Sequence, residues 1–471
     1  MGALERAQAL LASADPDKTL PQCKIRAIEI GADALSQVGQ IASEYIPSGS
    51  LIGFIVDKSE IFRASRSAKD DVLAQLAANF SVRKIVLDDG YQELHASEDV
   101  INQAIGEAEG VSAIISLGGG TITDIGKMTS LGIDCPIHIA IQTAASVDGY
   151  TDDVSVILKS GVKRTVPSRW PDIVIADTTL IAQAPRLMNT AGFGEIYSMF
   201  TAPADWRLAA LFGFERNFHW GPIELLHGVG EGIDEWSIGL KDAEVASIEK
   251  LVEALAVRGI TTGVAGTTAC LSGIEHLFSH MLDMHQGANG KTIGQHGSQV
   301  GVGSLAASVL WEIIFENFDN GEIHYSDLPE DQEYENRVKS HFSSLDNDGR
   351  LGQECWNDYS KKVAYWRSHE NEISAVLQNW GEHSAELKRL ILSSDQIARN
   401  LTAAGSPVTL AALEPAISGE LASWALGGAH LMRNRFVGID LLEFLGLWTP
   451  ETLAEVFTRM RQAVEKAEVN A

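Results

Sequence analysis

Three separated pieces of this sequence carry carboxylate and imidazole groups of the kind that bind a divalent metal. Glu195 follows a glycine-rich turn. His276 and His280 lie four residues apart, and His296 precedes a glycine. At this spacing His276 and His280 share one helix face. One carboxylate with two or three imidazoles suits zinc, nickel or ferrous iron and leaves a position open for substrate. No single piece is specific, because a histidine on an apolar helix face is more often a core residue.

A glycine triplet provides the second chemical signal. Gly118, Gly119 and Gly120 follow the apolar run 113–117 and precede a helical pattern that begins at Thr121. A strand, a glycine turn and a helix N-terminus together present backbone N–H groups and a positive dipole end to a phosphate. Glycine also lets a pyrophosphate approach the backbone closely. The alternative is an ordinary turn between a strand and a helix.

Two aspartates follow predicted strands and could contact a ligand. Asp57 ends a clear apolar strand, where it could bind the ribose of a dinucleotide and favour NAD over NADP. It could equally cap the next helix. Asp148 lies just beyond a strand that ends in small hydroxyl-bearing residues. Ligands of open α/β sheets bind at this carboxyl end of the strands.

The elements that must position these groups fall into two predicted domains. In residues 1–185, apolar strand patterns alternate with amphipathic helices, which predicts a Rossmann-like parallel sheet covered on both faces. The predicted strands are 24–30, 51–56, 82–87, 113–117, 136–142 and 172–176, with a hairpin at 154–158 and 162–166. Residues 186–471 read as an all-helical metal- and substrate-binding domain, with an elaboration at about 320–395.

Composition excludes several classes of partner. The net charge of −27 over 471 residues argues against nucleic acid or an anionic membrane as the main partner. It does not exclude a small anionic substrate. The four cysteines form no CxxC pair, so the sequence predicts neither a disulfide framework nor a cysteine zinc site. This cysteine usage predicts a cytoplasmic location. The sequence has no uninterrupted run of about 18 apolar residues, so we expect no membrane-spanning helix.

The order of these motifs resembles a known family. GGGTITDIGK, QTAASVDGYTDDVSVI, KRTVPSRWPDIVIADTTLI, NTAGFGE, SGIEHLFSH and QHGSQVGVG are similar to segments of the glycerol-1-phosphate dehydrogenases. Those enzymes belong to the iron-containing alcohol dehydrogenase and dehydroquinate synthase superfamily. The resemblance covers roughly residues 25–310 and 400–450, and leaves much of 320–395 unexplained.

The resemblance implies a fold, a reaction and a set of site residues. The implied fold is dehydroquinate synthase-like, and the implied activity is metal-dependent, NAD(P)-linked oxidation of sn-glycerol-1-phosphate or reduction of dihydroxyacetone phosphate. The implied cofactor-binding residues are Asp57, Gly118, Gly119, Gly120, Thr121, Asp124, Thr143 and Ser146. The implied metal ligands are Glu195, His276 and His296, with zinc preferred and nickel or iron as alternatives. The implied substrate-binding and catalytic residues are Asp148, His280, Lys127 and Lys163. A homo-oligomer is also implied.

Glu195 keeps an alternative open. The dehydrogenases of this family usually have aspartate at that place, whereas glutamate resembles the dehydroquinate synthase branch. The alternatives are therefore a sugar-phosphate cyclase that uses NAD transiently, or a glycerol-type dehydrogenase acting on an unphosphorylated polyol. The stretch Gly161–Val166 and the helical pattern of Ser272–His280 favour the dehydrogenase branch.

Overall fold

The computed structural model describes residues 2–91, 93–159, 162–319, 328–346 and 348–469, without the side chains of residues 162 and 163. The fold divides into two compact units. The first comprises Met1–Gly192 and Trp220–Thr267, and the second comprises Phe193–His219 and Thr268–Ala471. These units interleave along the chain, so the domain boundary near residue 185 stays a prediction.

A parallel sheet forms the centre of the first unit. The strands are β1 Ala27–Gly31, β2 Leu51–Asp57, β3 Phe62–Arg63, β4 Arg66–Ser67, β5 Ser81–Leu87, β6 Ala113–Gly118, β7 His138–Gln142, β8 Val154–Lys159, β9 Val162–Pro167 and β10 Ile173–Asp177. Among the described residues, six of them pair in parallel in the order β1-β10-β7-β6-β2-β5. β8 and β9 form the predicted antiparallel hairpin, whose tip at 160–161 lies outside the described residues.

Helices account for most of the remaining chain. They are α1 Ala3–Ala14, α2 Val38–Tyr45, α3 Ala68–Ala77, α4 Glu98–Glu107, α5 Gly120–Gly132, α6 Thr178–Ala182, α7 Arg186–Ile196, α8 Ala202–Leu211, α9 Trp220–Val229, α10 Ile233–Trp236, α11 Val245–Ala265, α12 Ile274–Ala288, α13 His296–Asp319, α14 Asp331–Phe342, α15 Arg350–Ser368, α16 Glu370–Gln378, α17 Trp380–Lys388, α18 Ser394–Ala404, α19 Gly419–Gly427, α20 Gly438–Phe444 and α21 Pro450–Val469. The predicted α/β fold followed by a helical C-terminal part is confirmed.

Alternation along the strands builds a core on each face of the sheet. Phe54 and Val56 of β2 join the cluster formed with α2 and α3, whereas Ile55 joins the cluster formed with α4 and α5. Successive strand side chains point to opposite faces, so an apolar strand buried on both sides needs no polar positions. This explains why the inner strands β2, β6, β7 and β10 are mostly apolar.

The second unit is organised around the buried helix α13. By length and composition this helix could cross a membrane, but 94% of its most apolar window is buried inside the protein, as in a core helix. Helices α14–α17 occupy the elaboration predicted at 320–395, of which residues 320–327 and 347 lie outside the described part. All four cysteines are free thiols, as predicted.

Candidate functional site

The glycine turn has the predicted form. β6 ends at Gly118, and α5 begins at Gly120 with Gly119 as its N-cap. A Cβ atom on Gly118 would lie 2.7 Å from Ile122, and one on Gly120 would lie 2.8 Å from Val147, so packing requires glycine at both positions. A Cβ on Gly119 would meet nothing within 4 Å. The middle glycine therefore borders open space at the helix N-terminus, where backbone N–H groups favour a phosphate.

The aspartates at the strand ends already have partners. Asp57 accepts hydrogen bonds from Lys69 Nζ at 2.6 Å and from Ser59 N at 3.1 Å. Asp148 pairs with Arg258, whose Nε and Nη2 both lie 3.2 Å from Asp148 Oδ2. Arg258 is fully buried, so it fixes the direction of the Asp148 carboxylate. No pattern in the sequence indicates this arginine, because 110 residues separate it from Asp148.

Other residues predicted to bind the cofactor lie near the same strand ends. Thr143 and Ser146 are both buried and follow β7, and the Thr143 amide donates to Gly118 O at 3.2 Å. Thr121 lies in the first turn of α5. These positions keep Thr121, Thr143 and Ser146 as candidates for contact with a dinucleotide.

The contacts of Lys127 do not support the phosphate-binding role that the resemblance implies for it. Its ammonium is fully buried and donates to Gly149 O at 2.8 Å, Asp152 Oδ1 at 2.6 Å and Val154 O. Asp124 lies 3.2 Å from the same ammonium and also accepts from Val156 N, so its carboxylate faces the β8–β9 hairpin. Since an ammonium has three donors, Lys127 has none left for a substrate phosphate. Lys163 lies in β9, and its side chain is outside the described part.

The predicted metal ligands come together in the second unit. The candidate ligand atoms of Glu195, His276 and His296 all lie within 4.8 Å of one another. Glu195 Oε1 is 3.1 Å from His276 Nε2, and Glu195 Oε2 is 3.8 Å from His296 Nε2. Glu195 and His276 are buried, and His296 is half-buried. We refer to these three residues as the ligand cluster.

Contacts between glycines bring the helices of the ligand cluster together. A Cβ on Gly194 of α7 would lie 2.3 Å from Gly297 O, and one on Gly301 of α13 would lie 2.9 Å from Gly194 Cα. A Cβ on Gly303 would lie 2.8 Å from the carbonyl oxygen of Glu275 in α12. Because these positions lack side chains, α7 and α12 approach α13 closely enough for their ligands to meet.

Hydrogen bonds set the tautomers of the two histidine ligands. Glu275 Oε1 lies 3.0 Å from His276 Nδ1, and the carboxylate accepts this N–H. Ser279 donates to Gln299 Oε1 at 2.7 Å, so its oxygen accepts from His296 Nδ1 at 3.0 Å. In its neutral form, each ring therefore offers the Nε2 lone pair to a metal. A carboxylate and two such imidazoles fit a divalent metal of the zinc, nickel or iron class.

The hydrogen bond of His280 places its proton on the other ring nitrogen. Arg433 Nη2 donates to His280 Nδ1 at 3.2 Å, since a guanidinium has no acceptor. A neutral His280 ring then carries its proton on Nε2 and is a hydrogen-bond donor there rather than a metal ligand. His280 therefore differs in its hydrogen bonding from the histidines of the ligand cluster, although its ring lies 5.7 Å from that of His296.

Glu275 is a further candidate functional residue that the sequence analysis does not predict. Its side chain is fully buried and accepts from Gly273 N at 2.6 Å, Thr201 Oγ1 at 2.9 Å and His276 Nδ1. Burial lowers the pKa of His276, but the carboxylates of Glu195 and Glu275 raise it to about 9. A metal must therefore displace a proton from His276 to bind. The only sequence signal for Glu275 is that it directly precedes a histidine.

We expect Glu275→Gln to weaken metal binding about 10- to 100-fold, because a partner that orients a metal-bound histidine contributes about that much. Competition with a chromogenic chelator would measure the metal dissociation constant. Glu312→Gln is the control, since Glu312 accepts only from Ser394 among the described contacts. An unchanged metal affinity in Glu275→Gln would limit Glu275 to a role in folding.

Comparison with known proteins identifies the relatives of this chain. A family model described as iron-containing alcohol dehydrogenase matches residues 29–185. Glycerol-1-phosphate dehydrogenase [NAD(P)+] of Aeropyrum pernix is 30% identical over 291 residues, which is 60% of this chain and 77% of that protein. The enzyme of the same name from Methanothrix thermoacetophila is 30% identical over 236 residues, 48% of this chain and 65% of that protein. The match thus spans less than two thirds of the Methanothrix enzyme.

A solved structure shares the fold. Glycerol dehydrogenase from Schizosaccharomyces pombe aligns over 96% of this chain and 93% of its own, with a TM-score of 0.59 and 14% identity. At that identity the likeness concerns the fold alone.

Proposed function

Since this chain belongs to the glycerol-1-phosphate dehydrogenase family, within the iron-containing alcohol dehydrogenase superfamily, we propose that it is a metal-dependent, NAD(P)-linked dehydrogenase of a small polyol phosphate. The proposed substrate pair is sn-glycerol-1-phosphate and dihydroxyacetone phosphate. The observation that carries the proposal is the ligand cluster, in which Glu195, His276 and His296 meet with their donor atoms in reach of one ion.

The proposed cofactor site lies in the first unit. Gly118, Gly119, Gly120 and Thr121 would hold the pyrophosphate at the start of α5, where the open space beside Gly119 supports the assignment. Asp57 would contact the adenosine ribose, and Thr143 and Ser146 would line the nicotinamide end. Asp57 favours NAD, because its carboxylate would repel a 2′-phosphate.

The proposed chemistry is hydride transfer between the carbinol carbon and C4 of the nicotinamide. A divalent metal, zinc by preference with nickel or iron as alternatives, supplies a Lewis acid that lowers the pKa of a bound alcohol. Glu195 adds one negative charge to two neutral imidazoles, so a loaded site keeps a net positive charge. His280 would donate its Nε2–H to the substrate, and Asp148, held by Arg258, would accept from a substrate hydroxyl.

Consumption of NADH and NADPH by the metal-loaded protein tests this function. Dihydroxyacetone phosphate, dihydroxyacetone and a blank would run in parallel with zinc, nickel and iron. Oxidation with the phosphate alone supports the proposal, and equal rates with the unphosphorylated ketone point to a glycerol-type dehydrogenase. If the protein binds metal and NAD but turns over neither, the glutamate at 195 favours a cyclase of the dehydroquinate synthase type. A homo-oligomer in the cytoplasm is proposed from the family alone.

A further inference from the structure

Arg433 brings a permanent positive charge to the neighbourhood of the ligand cluster. Its Nη2 lies 3.2 Å from His280 Nδ1. The ring of His280 lies 6.3 Å from that of His276 and 5.7 Å from that of His296. Arg433, His280 and His296 are all half-buried, so each reaches solvent. A small anion that contacts this side of the ligand cluster would therefore meet a guanidinium.

The backbone that carries Arg433 is held from within the protein. Lys362 of α15 is buried and donates to His430 O at 2.7 Å and to Arg435 O at 3.1 Å, on either side of Arg433 in the chain. Its third bond goes to Asp440 Oδ1 at 2.6 Å. Asp440 in turn accepts from Val437 N at 2.9 Å. One buried ammonium thus fixes two carbonyls that flank Arg433, which limits the positions its side chain can reach.

A phosphorylated substrate needs a cationic partner that the earlier candidates do not provide within the described residues. Lys127 uses its three donors inside the protein, and Lys163 has no described side chain. A guanidinium suits a phosphate because its planar donors can bind two oxygens at once. We propose that Arg433 binds the phosphate of the substrate beside the ligand cluster and thereby selects phosphorylated over unphosphorylated polyols. This inference rests on the proposed function and names the residue that recognises the anionic end.

Steady-state kinetics of the metal-loaded full chain test the role of Arg433. We expect Arg433→Met to raise the KM for dihydroxyacetone phosphate about 10- to 100-fold, as for loss of a hydrogen bond to a charged group. The KM for unphosphorylated dihydroxyacetone should change less than about threefold, whereas kcat should fall to a similar extent with both ketones because Arg433 also donates to His280. Arg433→Lys should recover part of the rise in KM. Arg461→Met, on the exposed surface of α21, is the matched control and should leave both substrates unaffected. An equal rise in the KM for both ketones, at unchanged metal content, would overturn the proposal.

Binding of inorganic phosphate separates this proposal from the proposed function. Phosphorus NMR titration of the metal-loaded wild type and of Arg433→Met needs no turnover. The site is supported if Arg433→Met binds phosphate at least about tenfold more weakly than the wild type, and Arg461→Met binds it equally well. This result supports the site even if the wild type reduces neither ketone. Phosphate binding that is equal in the wild type and Arg433→Met would overturn it even if the enzyme is active with dihydroxyacetone phosphate.

Discussion

His276→Ala is expected to lower kcat/KM for dihydroxyacetone phosphate at least about 1,000-fold and to leave less than stoichiometric metal in the purified protein. The ligand cluster loses one of its three donors, and Glu195 loses the ring nitrogen 3.1 Å from its carboxylate. Lewis-acid stabilisation of a developing charge is worth several kcal/mol, and about 4 kcal/mol corresponds to a 1,000-fold change in rate. Elemental analysis and NADH oxidation, measured on the same sample, check both parts.

His227→Ala is the matched control for this loss. His227 lies in the last turn of α9 and is exposed, so its removal should change neither metal content nor activity. If His276→Ala kept both its metal and its activity, the assignment of Glu195, His276 and His296 as ligands would be wrong. A loss of activity with full metal content would place His276 at the substrate instead.

Lys127→Met is expected to destabilise the first unit by about 3–5 kcal/mol, the usual cost of removing one partner from a buried ion pair. Burial raises the pKa of Asp152 to about 7 although the Lys127 ammonium lowers it. Without the ammonium, Asp152 and Asp124 would become unpaired charges or take up protons, and Gly149 O and Val154 O would lose a donor. Hydrogen exchange of peptides from α5 and β8 would show the loss as faster opening.

This variant separates the structural role of Lys127 from a role in phosphate binding. A phosphate ligand would raise the KM for the phosphorylated substrate while leaving hydrogen exchange unchanged. Lys84→Met is the control, because Lys84 is exposed on β5 and its loss should alter stability by less than about 0.5 kcal/mol. Unaltered exchange in Lys127→Met would contradict the structural assignment.

Local patterns predicted the elements of the first unit well. The apolar runs became strands within a few residues, and Ser67, a residue type that favours helix N-caps, accepts from Asp70 N at the start of α3. The glycine turn was visible because its strand, triplet and helix are consecutive in the chain. These features depend on neighbours in sequence, so the sequence alone can indicate them.

Features that depend on distant contacts were missed or misassigned. The family resemblance implied a phosphate-binding role for Lys127, but a carboxylate 25 residues later binds its ammonium inside the protein. Arg433 donates a hydrogen bond to His280, which lies 153 residues earlier in the chain. The protonated nitrogen of each histidine depends on Glu275, Ser279 or Arg433, and no pattern of spacing reveals such a partner. The proposed residue roles stay predictions until they are tested.

The close backbone contacts of Gly194 with Gly297 and Gly301, and of Gly303 with Glu275, have a consequence for the evolution of the site. The separation of the ligands is set by three helix backbones in contact rather than by the ligand side chains. Gly194, Gly301 and Gly303 should therefore tolerate substitution as poorly as the ligands, although none of them offers an atom to a metal. A lineage could change the identity of the ion by replacing the glutamate at 195 with aspartate, while this glycine framework stays invariant.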